Sequence, residues 1–218
     1  MFAPDRSSAG GRAAGENREA DFVFYCLETD PWDIPTVTRF MSGMAEASRD
    51  RATKALTLRI PPIREGREAA VEHIEEGLAA GVDGLVFPHV ESADEVALAT
   101  GALGDRLWPT HPQGDVFSIV QIEDRVGVER AREIASAPGV GVVLPGSGDL
   151  KKAYDGDMQA VENAIQAILA ACDEFDVPCG VTAGVEDVAD RLQQGFRVII
   201  ATELEALGVG RAAVEWRD

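Results

Sequence analysis

The chain has 218 residues, enough for one domain with a sizeable core. Its 38 acidic and 20 basic residues leave a net charge of −18, and only Lys54, Lys151 and Lys152 among the basic ones are lysines. Such a surface repels phosphate backbones and argues against nucleic-acid binding, and no apolar run reaches the roughly 18 residues of a membrane span.

Residues 1–20 are rich in Gly, Ala, Arg and Glu and lack the apolar stretch of a secretory signal. They read as a flexible tail ahead of a single domain over 21–218, in a cytoplasmic protein. From Asp21 onward, short apolar runs alternate with helical patterns. Strand-like runs fall at 21–26, 55–60, 84–87, 116–122, 140–144, 177–181 and 197–201. Between them, Val37, Phe40, Met41 and Met44 make one helical stripe, and Val71, Ile74 and Leu78 make another. The clearest stripe is Val161, Ile165, Ile168, Leu169 and Cys172. Ser92 and Glu95 have capping-box spacing, and Gly81 and Gly195 sit where helices should stop. Cys26, Cys172 and Cys179 are odd in number with no Cys-x-x-Cys pair, so neither a disulfide framework nor a zinc site follows. Cys172 reads as a core thiol.

Strand–helix alternation with nearly continuous apolar strands predicts a parallel sheet covered on both faces. Seven such units favour a TIM-type (β/α)8 barrel over an open, doubly wound sheet. A typical barrel runs to about 250 residues, so this one is expected to be trimmed at its first strand and its C-terminal helix.

Function in such a barrel sits at the carboxyl ends of the strands. Those ends read Glu28-Thr29-Asp30, Arg59-Ile60-Pro61, Pro88-His89, Gln121-Ile122-Glu123-Asp124 and Pro145-Gly146-Ser147-Gly148-Asp149. Glu123 and Asp149 follow neighbouring strands. Their carboxylates either converge on a divalent cation such as Mg²⁺ or Mn²⁺ or stand as two solvated acids. Arg59, closing an apolar strand, either forms a buried pair or holds a substrate oxyanion with its planar fork. The Gly146-Ser147-Gly148 turn either offers backbone N–H groups to a carboxylate or is a plain turn. Of the histidines, His89 is best placed to contact a ligand, directly or through a second group. His73 reads as a surface residue, and His111 as a loop residue within reach of the top face. A Schiff base needs a buried lysine at a strand end. Lys54 precedes its strand and Lys151-Lys152 read as solvated, which favours a metal route.

Five segments follow in order: 21–44 (DFVFYCLETDPWDIPTVTRFMSGM), 58–61 (LRIP), 84–95 (GLVFPHVESADE), 120–128 (VQIEDRVGV) and 138–150 (PGVGVVLPGSGDL). Together they resemble the HpcH/HpaI aldolase/citrate lyase family, within the pyruvate-aldolase barrel superfamily. The resemblance implies a class II aldolase that makes or breaks 4-hydroxy-2-oxo acids through a pyruvate enolate held on Mg²⁺, Mn²⁺ or Co²⁺. It implies Glu123 and Asp149 as metal ligands, Gln121 near the metal and the 2-oxo group, and Arg59 at the enolate oxygen. It further implies the Ser147–Gly148 backbone as a carboxylate cradle, a small 2-oxo acid as partner, and a homo-oligomer, often a hexamer with exchanged C-terminal helices.

The family's Asp-x-x-His pair, which moves the aldol proton, is replaced here by Cys26 and Thr29. A threonine is no general base near neutral pH. Enolate stabilisation is expected to survive the change and the usual retro-aldol step is not, unless His89, His111 or a metal-bound hydroxide serves. The leading reading is a metal-dependent lyase of aldol or oxaloacetate-decarboxylating type, with Arg59 and His89 as catalytic residues. Two alternatives stand beside it: an inactive metal- and oxo-acid-binding assembly subunit, and an acyl-CoA lyase, for which the acidic chain has few phosphate-binding groups.

Overall fold

The computed structural model describes residues 1–48 and 52–214. Among them, seven strands run in parallel: β1 (Phe22–Cys26), β2 (Ala55–Arg59), β3 (Gly84–Phe87), β4 (Phe117–Ile122), β5 (Val142–Pro145), β6 (Gly180–Ala183) and β7 (Val198–Ala201). The helices are α1 (Ser8–Glu16), α2 (Ile34–Ser48), α3 (Arg67–Ala80), α4 (Ala93–Leu103), α5 (Arg125–Glu129), α6 (Ala131–Ala135), α7 (Ser147–Ala153), α8 (Met158–Glu174), α9 (Val188–Gln194) and α10 (Leu204–Ala213). Strands β1 to β5 pair in chain order, and β6 pairs with β7. The two groups meet where Val143 bridges Cys179 and donates its N–H to the Pro178 carbonyl at 3.0 Å. None of these helices is long and apolar enough to cross a membrane.

The two-residue period of a strand sorts the side chains into two cores. Val23, Tyr25, Leu56, Leu58, Leu85, Phe87, Val120 and Ile122 pack outward beneath the helices, against Phe40, Ile74 and Ile168. Phe24, Cys26, Val86, Ile119, Val142, Leu144 and Ile200 form an inner cluster. Ile200 on β7 shares that cluster with Phe24 and Cys26 on β1, so the sheet curls back on itself. The fold is a (β/α)8 barrel, not the open sheet whose outermost strands would lie far apart.

The first strand, invisible in the sequence, is cut to a bridge between Phe2 and Phe24. Ala3 N–H donates to the Phe24 carbonyl at 3.0 Å, and Phe24 N–H to the Met1 carbonyl at 2.7 Å. Three residues are too few to show a strand period. Residues 8–16, expected as part of a tail, instead form α1 against α2, with Gly11, Ala14 and Gly15 buried. The contact is made by absent side chains. A Cβ at Gly11 would lie 2.1 Å from the Phe40 carbonyl oxygen, and one at Gly43 would lie 2.3 Å from that of Ser8. Glycine-rich sequence, usually a sign of flexibility, here lets two backbones touch. Gly11→Ala should therefore destabilise the fold by about 1–3 kcal/mol through overpacking, read as a lower urea midpoint with an unchanged slope.

Local signals hold where chemistry dictates them. Ser92 Oγ accepts from the Glu95 N–H at 3.3 Å, while the Glu95 carboxylate accepts from the Glu91 N–H at 2.7 Å. Gly81 and Gly195 end α3 and α9 in left-handed conformations, with φ of 85° and 110°. Strand β6 starts later than its apolar run because Pro178 has no N–H for the ladder.

Candidate active site

The inward-facing row of each strand continues past its carboxyl end. On β1 the series Phe22, Phe24, Cys26 leads to Glu28, and on β4 Ile119 and Gln121 lead to Glu123. Arg59 closes β2, and His89 follows β3. Glu28, Arg59, Gln121 and Glu123 thus cap the apolar barrel interior, drawn in by the same alternation that builds it, whereas His89 is out of step with the inward-facing Val86 and is turned in by its left-handed backbone.

Arg59 is the hub. Its Nη2 lies 2.9 Å from Glu28 Oε2, its Nη1 donates to Gln121 Oε1 at 3.2 Å, and its Nε and Nη2 donate to Cys26 Sγ at 3.2 and 3.1 Å. The guanidinium also lies 5.5 Å from the Phe24 ring centre. The Arg59 and Glu28 side chains are only 16% and 9% exposed. Burial works against the charge on Arg59, but Cys26 and Glu28 more than offset it, so the guanidinium stays ionised.

Glu123 is 2% exposed. Burial, reinforced by Glu28 and Asp149 and opposed by His89 and Arg59, pushes its carboxyl up to about 7. Its Oε1 accepts from the His89 N–H at 3.3 Å. Its Oε2 lies against Gly146, where a Cβ would come within 2.2 Å. Glycine at 146 is what lets the carboxylate occupy this place. Gly146→Ala is expected to displace Glu123 and destabilise the protein by about 1–3 kcal/mol through overpacking. A urea titration checks this.

His89 takes a left-handed backbone, φ 53°, uncommon for a residue with a side chain. The Val90 N–H donating to the Gln121 carbonyl at 2.9 Å helps to hold it there. His89 Nε2 lies 3.4 Å from Glu28 Oε1, and that carboxylate raises the imidazole's affinity for a proton. Asp149, in the first turn of α7, comes within hydrogen-bonding reach of Glu123. Burial tends to raise its pKa, but bonds with Lys152 and Glu123 bring it below the ordinary value. The Lys152 link, at 2.8 Å, involves a lysine side chain 81% exposed and is the weak surface kind.

The Gly146 N–H is committed to the Ile122 carbonyl at 3.0 Å, which removes it from any anion cradle. Ser147 and Gly148 open α7, where the first N–H groups have no intrahelical acceptor. Ser147 Oγ accepts from the Thr182 hydroxyl at 3.0 Å, tying the end of β6 to this turn, and a Cβ on Gly148 would meet open space.

The structure thus gathers Arg59, His89, Gln121, Glu123 and Asp149 at one end of the barrel, with Ser147 and Gly148 at its edge. His111 is not among them. It lies in the loop that enters β4, at the amino end of the strands, 3.7 Å from Asp105. His73 is half-buried against Trp32, their ring centres 4.1 Å apart. Thr29 is exposed and Cys26 is buried beneath Arg59. Sequence reasoning noted Glu28 at its strand end without choosing it. The signal was there, because Glu28 follows Cys26 by two and must face inward.

The donor set suits a divalent cation. Glu28, His89 and Glu123 offer ligand atoms all within 4.8 Å of one another, and Glu28 Oε1 is buried without a hydrogen-bond partner. A buried carboxylate oxygen left unpaired is costly unless something positive meets it.

A family model for HpcH/HpaI aldolase/citrate lyase matches residues 41–204. A hydroxypyruvate/pyruvate aldolase from Paraburkholderia phytofirmans is 28% identical over 226 residues, covering 88% of this chain and 83% of the relative. A 5-keto-4-deoxy-D-glucarate aldolase from Klebsiella pneumoniae is also 28% identical, over 89% of this chain and 81% of its own. Among solved structures, an HpcH/HpaI aldolase/citrate lyase family protein from Burkholderia cenocepacia superposes with a TM-score of 0.80 at 22% identity, covering 97% of this chain and 90% of that one. The protein CitE of Mycobacterium tuberculosis, in complex with magnesium and acetate, gives 0.67 at 21% identity, over 100% and 90%. With three-quarters of its length under one family model and a barrel of the same kind, this chain belongs to the HpcH/HpaI aldolase/citrate lyase family.

Proposed function

We propose that the protein is a divalent-metal-dependent carbon–carbon lyase of the cytoplasm, acting on a small 2-oxo acid as a homo-oligomer. One observation carries the reading: a nearly buried carboxylate, Glu123, stands beside Asp149 and a charged Arg59 at the end of the barrel where this architecture places its chemistry. Glu123 and Asp149 are the residues that would hold Mg²⁺, Mn²⁺ or Co²⁺. A bound cation of this kind supplies a Lewis acid at the 2-oxo group.

The chain's own residues do the rest. Arg59 presents fixed positive charge to the oxygen that turns anionic as the carbon–carbon bond breaks. Charge already in place needs no reorganisation at that moment. Gln121, held through its Oε1 by Arg59, keeps its amide N–H groups for the 2-oxo acid. The Ser147 and Gly148 N–H groups orient the substrate carboxylate. His89 completes the catalytic set beside Glu123.

Proton transfer sets the reaction type. Thr29 is exposed, and Cys26 faces the fork of Arg59, so we read neither, although they stand at the positions of the family's Asp–His pair, as taking over its proton transfer. Loss of CO₂ from an oxaloacetate-like acid needs an electron sink and no base, and this chain's residues support it more directly than aldol cleavage.

The test is pyruvate release from oxaloacetate and from 4-hydroxy-2-oxo acids with Mn²⁺, before and after Glu123→Ala. Metal-dependent turnover lost in the variant is expected. Absence of metal-dependent turnover with any 2-oxo acid would sink the reading and leave a cation-binding, non-catalytic subunit.

A further inference from the structure

Glu28 and His89 are joined at the site by a geometry that the lyase reading does not use. Glu28 sits with one oxygen anchored and one loosely met: Oε2 is 2.9 Å from Arg59, whereas Oε1 is buried with no hydrogen-bond partner. What faces that second oxygen is the imidazole, with His89 Nε2 at 3.4 Å. Two donors about 2.1 Å from one cation at a tetrahedral angle stand about 3.4 Å apart. A direct hydrogen bond between the two atoms would instead be shorter, about 2.7–3.2 Å, and aligned. Glu123 supplies the third donor, every ligand atom of the three lying within 4.8 Å of the others.

We propose that Glu28 and His89 join Glu123 as ligands of the cation, and that this imidazole makes the site prefer a borderline transition metal such as Co²⁺ or Zn²⁺ over Mg²⁺. The inference rests on the reading of the site as a cation-dependent lyase, and extends it to the identity of the ion. An all-oxygen set of carboxylates, carbonyls and water suits Mg²⁺, which is hard and keeps its hydration. A nitrogen donor favours ions further along the first-row series.

Three features favour ligation over a chance encounter of side chains. Arg59 already neutralises one edge of Glu28, so Oε1 is oriented without being quenched. His89 is fixed from its own backbone, which donates to Glu123 Oε1 at 3.3 Å, so imidazole and carboxylate move as one unit. Glu28, His89 and Glu123 lie one or two residues past the ends of three different strands, β1, β3 and β4, close to the paired backbone that holds each of them.

The probes are Co²⁺ and Mg²⁺ alone, titrated into the full chain by calorimetry, with the visible absorption of bound Co²⁺ as a second readout. Wild type is expected to bind Co²⁺ more tightly than Mg²⁺. His89→Gln should weaken Co²⁺ on the order of 10–100-fold, change its spectrum and leave Mg²⁺ nearly unaffected. His89→Asn is the companion variant, because asparagine tolerates the left-handed backbone at this position. Glu28→Gln removes a charged oxygen donor common to both ions and should weaken Co²⁺ and Mg²⁺ alike. Equal affinity for Mg²⁺ and Co²⁺ in wild type would overturn the inference. So would a Co²⁺ affinity and spectrum unchanged in both His89 variants. In either case, binding that Glu123→Ala abolishes would leave the lyase reading standing. No cation binding to wild type would overturn both.

Discussion

Arg59→Met is expected to cost the protein about 3–5 kcal/mol of stability, the usual penalty for leaving a buried charge without its partner, and to abolish turnover. Glu28 is 9% exposed and has Arg59 within 2.9 Å as its strong cationic partner; His89 at 3.4 Å is the weaker one. Removing the guanidinium also orphans Gln121 Oε1 and the Cys26 thiol at a single stroke. Arg59→Lys separates the two roles. An ammonium keeps a positive charge near Glu28, so most of the stability should return, but one nitrogen cannot reach Glu28, Gln121 and Cys26 together as the planar fork does. Loss of an aligned donor to a developing oxyanion costs about 100–1000-fold in kcat, and Arg59→Lys should fall in that range with a smaller change in KM. Thermal melts and steady-state kinetics of the two variants decide the matter. A lysine variant with near wild-type kcat would show that Arg59 serves the fold and not the chemistry.

Why some of this was legible and some not follows from the range of the interactions. The barrel could be read because short, nearly continuous apolar runs and a 3.6-residue period between them are local patterns, and each of the seven strands lies on such a run. Arg59, Gln121 and Glu123 follow from the same rule once strand ends are known to hold the chemistry, although Gln121 needed the family resemblance to be singled out. Glu28 obeys the rule too, and only its polar neighbours Thr29 and Asp30 hid it. Asp30 in fact turns away to pair with Arg6 at 2.7 Å. Helix α1 was illegible for a different reason. It is held by backbone approach at Gly11 and Gly43, and no apolar stripe records a contact made without side chains. His111 misled because its loop, of the right length to reach a site, lies at the wrong end of β4. The meeting of Glu28 with His89 depends on a left-handed residue beyond a strand end, a conformation that composition does not encode.

The second large effect is a conflict between stability and function at Glu123. In the cation-free protein, burial holds this carboxyl at about 7 in the folded state, against an ordinary value of 4.5 in an unfolded chain. The folded state therefore binds the proton more tightly. Stability from this group is fully present below pH 4.5 and is lost as pH rises toward 7, after which it stays lost. A shift of this size corresponds to about 3 kcal/mol. His89 runs in the same sense, its raised folded value adding stability that is lost as pH climbs through it. Glu123→Gln mimics the neutral carboxyl at every pH. In chelator-treated protein, the variant should match wild type near pH 4.5 and exceed it by about 3 kcal/mol at pH 8. Comparing the two proteins cancels the general repulsion within a chain of net charge −18, which also grows with pH. Adding Mn²⁺ at pH 8 should stabilise wild type by about 2.7 kcal/mol at a hundredfold excess over Kd, and should do little for the variant, which lacks the charge. Paired urea titrations at the two pH values, with and without Mn²⁺, measure each term. If wild type were as stable as Glu123→Gln at pH 8 without metal, Glu123 would carry its charge there at no cost. A carboxylate so comfortable would have little reason to seek a cation.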